Sequence, residues 1–247
     1  MTPLHRHQIA WLTTAGWDRI RSRSWDAAAS ECLAHWATHR LPLVVTRQPS
    51  GEGEGDTIAM GLPAPDRWDR RRFALGVPRA DVLYFDEFPR AEHVARLLPG
   101  AARPHWLRLC TGLRALGVVA RVHGSYGWKH FTQLDHVRAS SDIDVWIGVS
   151  DREQADAVAA MLQSFPCKRL RLDGELVFDG GAAVAWREWL AWRAGRARAL
   201  LVKRIDGSSL TNHPRSAFGA PPQGGAASGP AKPDPRPPLD APVHAVG

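Results

Sequence analysis

The sequence predicts an α+β protein. A mixed sheet flanked by helices is preceded by a smaller N-terminal α/β region and followed by a disordered C-terminal tail. Three observations lead there. Between residues 89 and 205, short apolar runs with strand character interleave with segments of helical spacing. Before residue 88, a Trp-bearing helical pattern and two short strand patterns are separated by a Gly-rich turn and a basic stretch. From residue 206 to 247, Pro, Gly, Ala and Ser dominate and apolar periodicity is lost. Such a segment buries too little surface to offset its chain entropy.

The elements follow in order. Ser24 is placed to cap a helix on which Trp25, Ala29, Cys32 and Trp36 share one face. Leu41 to Thr46 reads as a strand, Pro49 to Asp56 as a flexible turn, and Thr57 to Gly61 as a returning strand. Trp68 to Arg72 is basic and reads as a solvated face, with anion binding as the alternative. The pattern thus divides the chain into an N-terminal region, 1–88, and a second domain, 89–205. In that domain, Glu92 to Leu98 and Trp106 to Leu116 read as helices, and Val118 to Val122 as a strand. A short helix from Tyr126 to Leu134 follows the Gly124-Ser125 turn, and Ile143 to Val149 forms the next strand. Ser150 to Glu153 reads as a capping box, opening a helix whose apolar face is Val158, Met161, Leu162 and Phe165. Lys168 to Phe178 alternates: Leu170, Leu172, Leu176 and Phe178 face one way, Arg169, Arg171, Asp173 and Glu175 the other. Ala183 to Leu190 leads into a last helix.

Composition bounds the function. A chain of 247 residues buries a sizeable core, and 44% hydrophobic with 23% charged residues is ordinary for a globular protein. No apolar run approaches a membrane span, and the N-terminus has no secretory pattern. Three scattered cysteines, Cys32, Cys110 and Cys167, make neither a disulfide framework nor a zinc pattern, so a reducing cytoplasm is expected. A net charge of +7 favours anionic partners; the alternative is a composition that simply uses Arg.

The chemistry sits in two stretches. Asp142 and Asp144 are two apart, so on a strand both carboxylates leave the same face. They repel unless a cation neutralises them, and Mg²⁺ (or Mn²⁺) suits two carboxylates plus substrate phosphates. Asp173 and Glu175 offer a third acid on another strand. Gly124-Ser125 follows a strand and precedes a helix, where glycine lets backbone approach phosphate and helix amides favour anions. Each signal alone also describes an ordinary turn; together they point to transfer of a phosphate-bearing group. His123, His130 and His136 are not brought together by helix or strand spacing. Trp186-Arg187 suits either stacking on a base or core packing, and Lys203-Arg204 suits contact with phosphate.

The order Gly-Ser, aspartate pair, later acid resembles the nucleotidyltransferase superfamily, which implies a nucleotidyltransferase-type sheet. Within it, Gly124 to Trp128, Ala139 to Asp144, Arg171 to Leu176 and Ala183 to Glu188 resemble the phosphoribosyl-dephospho-CoA transferases of malonate decarboxylase. Arg6-His7 and the segment 57–65 are also similar, so the likeness covers residues 4 to 203. His123 departs from the apolar residue usual before Gly-Ser, and 129–135 departs from close relatives. The resemblance implies attack by a serine of an apo acyl carrier protein on 2′-(5″-triphosphoribosyl)-3′-dephospho-CoA, releasing diphosphate. Asp142 and Asp144 would hold the metal, Asp173 or Glu175 would complete the site or deprotonate the serine, and Gly124 and Ser125 would cradle diphosphate. It implies a substrate or carrier platform in residues 1–88, a catalytic domain in residues 89–205 and no nucleic-acid partner; with no apolar span, no membrane partner is expected either. The competing readings are a nucleoside-triphosphate donor with a small-molecule, tRNA or protein hydroxyl, and a non-catalytic relative that binds a partner.

Overall fold

A computed structural model describes residues 3–49, 56–166 and 170–212. Residues 50–55 of the expected turn, Cys167, the Lys168-Arg169 start of the expected strand, and the tail from 213 lie outside the described residues.

The N-terminal region is a five-stranded antiparallel sheet rather than a pair of strands. Its elements are β1 (Ile9–Leu12), α1 (Thr14–Arg21), α2 (Ala27–Thr38), β2 (Leu43–Val45), β3 (Thr57–Pro63), β4 (Arg72–Pro78) and β5 (Val82–Asp86). The strand order is β4-β3-β2-β1-β5. Thr13 caps α1, accepting from the Gly16 amide at 3.1 Å. The cap of α2 is Asp26 rather than Ser24: its carboxylate accepts from the Ala29 amide at 2.8 Å. Trp25 lies before the helix because its indole donates to the Ile20 carbonyl at 2.8 Å, fixing the chain in a turn. Trp17, Ile20, Cys32, Leu33 and Trp36 bury the helices against the sheet. The strands β1, β4 and β5 are short or mix polar with apolar positions, which blurred their period in the sequence.

The C-terminal region opens with a 3₁₀ helix at Ala91–Leu97, where an α-helix was expected. Pro99 follows, and the residue before a proline avoids helical backbone. Then come α3 (Arg103–Ala115), β6 (Ala120–His123), α4 (Gly124–Thr132), β7 (Ile143–Gly148), α5 (Arg152–Gln163), β8 (Leu172–Phe178), β9 (Ala182–Ala185), α6 (Trp186–Arg193), β10 (Leu200–Lys203) and β11 (Ser208–Thr211). The box that opens α5 sits one residue later than expected. Asp151 accepts from the Gln154 amide, and the Gln154 side chain accepts from the Ser150 amide. The strand β11 pairs with β10, so regular structure continues past the boundary expected at 205.

The fold is α+β. The second sheet has order β11-β10-β9-β8-β7-β6 and is antiparallel except for β7 with β8, which α5 joins as a crossover. One face carries Ile143, Val145, Ile147, Leu172 and Leu176 into a core with Trp106, Leu113, Val158, Leu162 and Trp189. The other face carries Asp144 and Glu175, and the N-terminal segment reaches it. His5 stacks on Trp146, and Arg6 and His7 approach Glu175. A small apolar cluster of Ile9, Phe88 and Trp128 joins the two regions. Among the described residues, no helix is long and apolar enough to cross a membrane.

Candidate active site

The site forms where three strand ends meet one helix start. Backbone register sets His123 of β6 beside Asp144 of β7, and Asp144 beside Asp173 of β8. Gly124 turns the chain from β6 into α4 with φ +58, a left-handed value that favours glycine. A Cβ there would fall on Asp144 Oδ2, with Asp144 Cγ at 3.0 Å. Gly127, one turn on, packs against the Val122 carbonyl and the Phe88 ring, pinning the helix to its strand. The residue preceding α4, His123, makes no side-chain cap. The first-turn amides of α4, at Ser125 and beyond, therefore point their positive dipole end at the acids' neighbourhood without a side-chain acceptor. That is the setting for a phosphate.

The acids divide into two groups. Asp142 and Asp173 gather around Asp144. Burial first, then the charges of Asp173 and Asp142, push the Asp144 carboxyl up to about 6. Arg171 balances the outer two: Nη1 lies 3.6 Å from Asp142 and Nη2 donates to Asp173 Oδ2 at 3.1 Å. The other Asp173 oxygen accepts from the Gly174 amide at 2.9 Å. Glu175 shares their strand face but is only 7% exposed, not on an open polar face as the alternation suggested. It is covered because the N-terminal segment lies over it. Lys203 donates to its Oε1 at 2.8 Å, and Arg6 lies at 3.7 Å. Burial alone would raise the Glu175 carboxyl, yet His7, Lys203 and Arg6 hold it well below the usual carboxylate range.

A cleft of about 730 Å³ runs between the two regions. His7, Met60, Arg70 and Arg72 line it from one side, and His123, Gly124, Ser125, His136 and Asp144 from the other. The basic stretch at 68–72 is thus split. Arg71 pairs outward with Asp26, while Arg70 and Arg72 line the cleft, where guanidinium suits phosphate, and Arg70 also donates to Asp66 and to the His136 carbonyl. His123, His130 and His136 do not converge on one metal site among the described residues. Burial pushes His123 down to about 3 and His136 down to about 4, so both are neutral, while His130 lies against His93. Trp186 is core, 3% exposed, with the Arg187 guanidinium 4.2 Å above its ring. Lys203 is committed to Glu175. Arg6 and His7 belong to this site, yet nothing in their spacing signalled it; only the fold carries them across.

Similarity to known proteins bears on the same two regions. Residues 5–88 match the phosphoribosyl-dephospho-CoA transferase MdcG N-terminal domain, and residues 90–214 match the MdcG C-terminal domain. The chain belongs to the phosphoribosyl-dephospho-CoA transferase family. A phosphoribosyl-dephospho-CoA transferase of Bradyrhizobium diazoefficiens is 36% identical, covering 83% of this chain and 88% of its own. One from Xanthomonas campestris is 33% identical, covering 86% and 95%. No solved structure matches the chain. In this transferase the cleft and acid cluster lie where the two family domains meet, and both domains line the cleft.

The fit of a divalent metal can be judged from the acids. Among the described residues, no three His, Cys, Asp or Glu side chains close tightly enough to hold a metal by themselves. Mg²⁺ is commonly held by one or two carboxylates, with substrate phosphates and water completing the shell. Asp142 and Asp144 suit that limited role, and the raised Asp144 carboxyl marks a place where a cation relieves crowded negative charge.

Proposed function

We propose that this transferase moves the phosphoribosyl-dephospho-CoA group from 2′-(5″-triphosphoribosyl)-3′-dephospho-CoA to a serine of the apo acyl carrier protein of malonate decarboxylase, with diphosphate as the other product. One observation supports it above the rest. A helix start at Gly124 lies directly against Asp144 on one wall of the cleft, so an anion cradle and a carboxylate share one space. The reading takes the catalytic domain as nucleotidyltransferase-type. It also places the protein in the reducing cytoplasm, where the buried free thiols Cys32 and Cys110 persist.

The residues divide the work. The amides after Gly124, with Ser125, hold the triphosphate, and Arg70 and Arg72 stand opposite to neutralise it. Asp142 and Asp144 would hold Mg²⁺, which when bound screens charge on the transferring phosphoryl group. Arg171 keeps Asp142 and Asp173 from repelling the donor before it docks. The acceptor oxygen approaches the α-phosphorus from the cleft opening, opposite the leaving diphosphate, and positioning carries most of the acceleration.

The test compares donors. With Mg²⁺ and apo carrier present, label should move to the carrier from triphosphoribosyl-dephospho-CoA and not from ATP. Transfer from ATP alone would overturn the donor assignment. Transfer to a carrier whose acceptor serine is replaced by alanine would overturn the serine.

A further inference from the structure

His7 is held in an unusual way. Its backbone is left-handed, φ +64, a region that non-glycine residues rarely adopt and that recurs at functional sites. Its ring stacks on His123 with centroids 4.2 Å apart and planes 17° from parallel. Its Nε2 faces Glu175 Oε2 at 3.6 Å, and both atoms are buried without a hydrogen-bond partner among the described residues. Unpaired buried polar atoms are costly, so two that face each other just beyond bonding distance form a contact ready to close. Catalytic hydrogen bonds are often long until substrate binds. Glu175 cannot turn away, because Lys203 and Arg6 fix its other oxygen.

The two acids beside Asp144 are already engaged. Both Asp173 oxygens accept hydrogen bonds, one from the Gly174 amide and one from Arg171. Asp142 faces Arg171. His123 lies beneath the His7 ring, deeply buried and neutral, so it supplies a flat support without a second positive charge. His7 itself lines the cleft with Gly124, Ser125 and Asp144.

Building on the transfer reading above, we infer that His7 is the general base of the reaction and Glu175 its positioning residue. Glu175 accepts the Nε2 proton of His7, which leaves Nδ1 with the lone pair. As the acceptor Oγ bonds to the α-phosphorus, its proton passes to Nδ1. The bond from that phosphorus to the bridging oxygen breaks, and diphosphate leaves with the electron pair. The base comes from one domain and the acids from the other. Docking of the N-terminal segment therefore completes the site.

The experiment measures single-turnover transfer and donor affinity separately. Asn tolerates left-handed backbone better than most residues, so His7→Asn keeps the local conformation while removing the base. We expect its transfer rate to fall by roughly 10²- to 10⁴-fold, the usual contribution of a general base, with donor Kd within about threefold of wild type. In His7→Ala, millimolar imidazole should restore part of the rate, an effect that a purely structural role would not show. Glu175→Gln should slow transfer less than His7→Asn. A His7→Asn variant that transfers at the wild-type rate, or His7→Ala that gains nothing from imidazole, would overturn the assignment of the base while leaving the transfer reading intact. Wild-type protein that labels no carrier would overturn both.

Discussion

Replacing Asp144 by Asn should make the metal-free protein more stable while it abolishes transfer. The reason lies in the crowding around that carboxyl, whose midpoint is pushed from its ordinary 3.8 to about 6 by burial and by Asp173 and Asp142. A displacement of that size disfavours the charged form by about 3 kcal/mol at most. Solvent at the cleft mouth reduces this, so about 1–2 kcal/mol is expected. The sign follows from proton counting. Between the unfolded and folded midpoints, the folded state binds more protons than the unfolded one, so stability falls as pH rises through that window. The cost is absent below about pH 4, where both states are protonated, and complete above about pH 6. Asn carries no charge and escapes it. The assay is urea denaturation of both proteins with EDTA present, at pH 4 and pH 7.5. The variant should exceed wild type by about 1–2 kcal/mol at pH 7.5 and by nothing measurable at pH 4, allowing for its lost carboxyl elsewhere. A variant no more stable at pH 7.5, or one whose advantage is independent of pH, would refute the reasoning.

Other outcomes follow from the same geometry. Gly124→Ala should cut transfer at least 100-fold and cost about 1–2 kcal/mol of stability, since a left-handed backbone and the Asp144 carboxylate both exclude a methyl group; activity assays and thermal melts check it. Asp142→Ala should abolish turnover yet leave the melting temperature within a few degrees, because this partly exposed acid meets Arg171, which keeps Asp173 as a partner. Gly174→Ala should reduce stability by more than 2 kcal/mol, because φ is +142 and a Cβ would meet the Val145 backbone where β7 pairs with β8; urea midpoints report it.

Much of the catalytic region is legible in the sequence because its strands are apolar and its helices have strong periods. The Ile143 run, the α5 stripe and the Gly124-Ser125 turn each carry a local signal that tertiary packing did not override. Asp144 is legible too, since a two-residue period sets it opposite the apolar face of β7, whereas Asp142 lies one residue before that strand, where the period no longer fixes a face. Less legible are features that depend on contacts between distant segments. Alternation puts Asp173 and Glu175 on one face, but it cannot show that Arg6 and His7 lie over Glu175 and leave Asp173 beside Asp144. The N-terminal sheet is less legible because β1 is four residues long and β5 is mostly exposed, so neither carries a clean pattern. The caps at Asp26 and Asp151 show a smaller version of the same effect. Serine and aspartate stood close together, and backbone geometry selected the carboxylate.

The reach of Arg6 and His7 into the catalytic domain has a practical side. Foreign chain fused close before Arg6 would stand beside the groups that cover Glu175, at the seam between the two domains. Recombinant preparations that differ in what is fused before this segment are therefore different reagents, and activity is best measured with nothing foreign attached there.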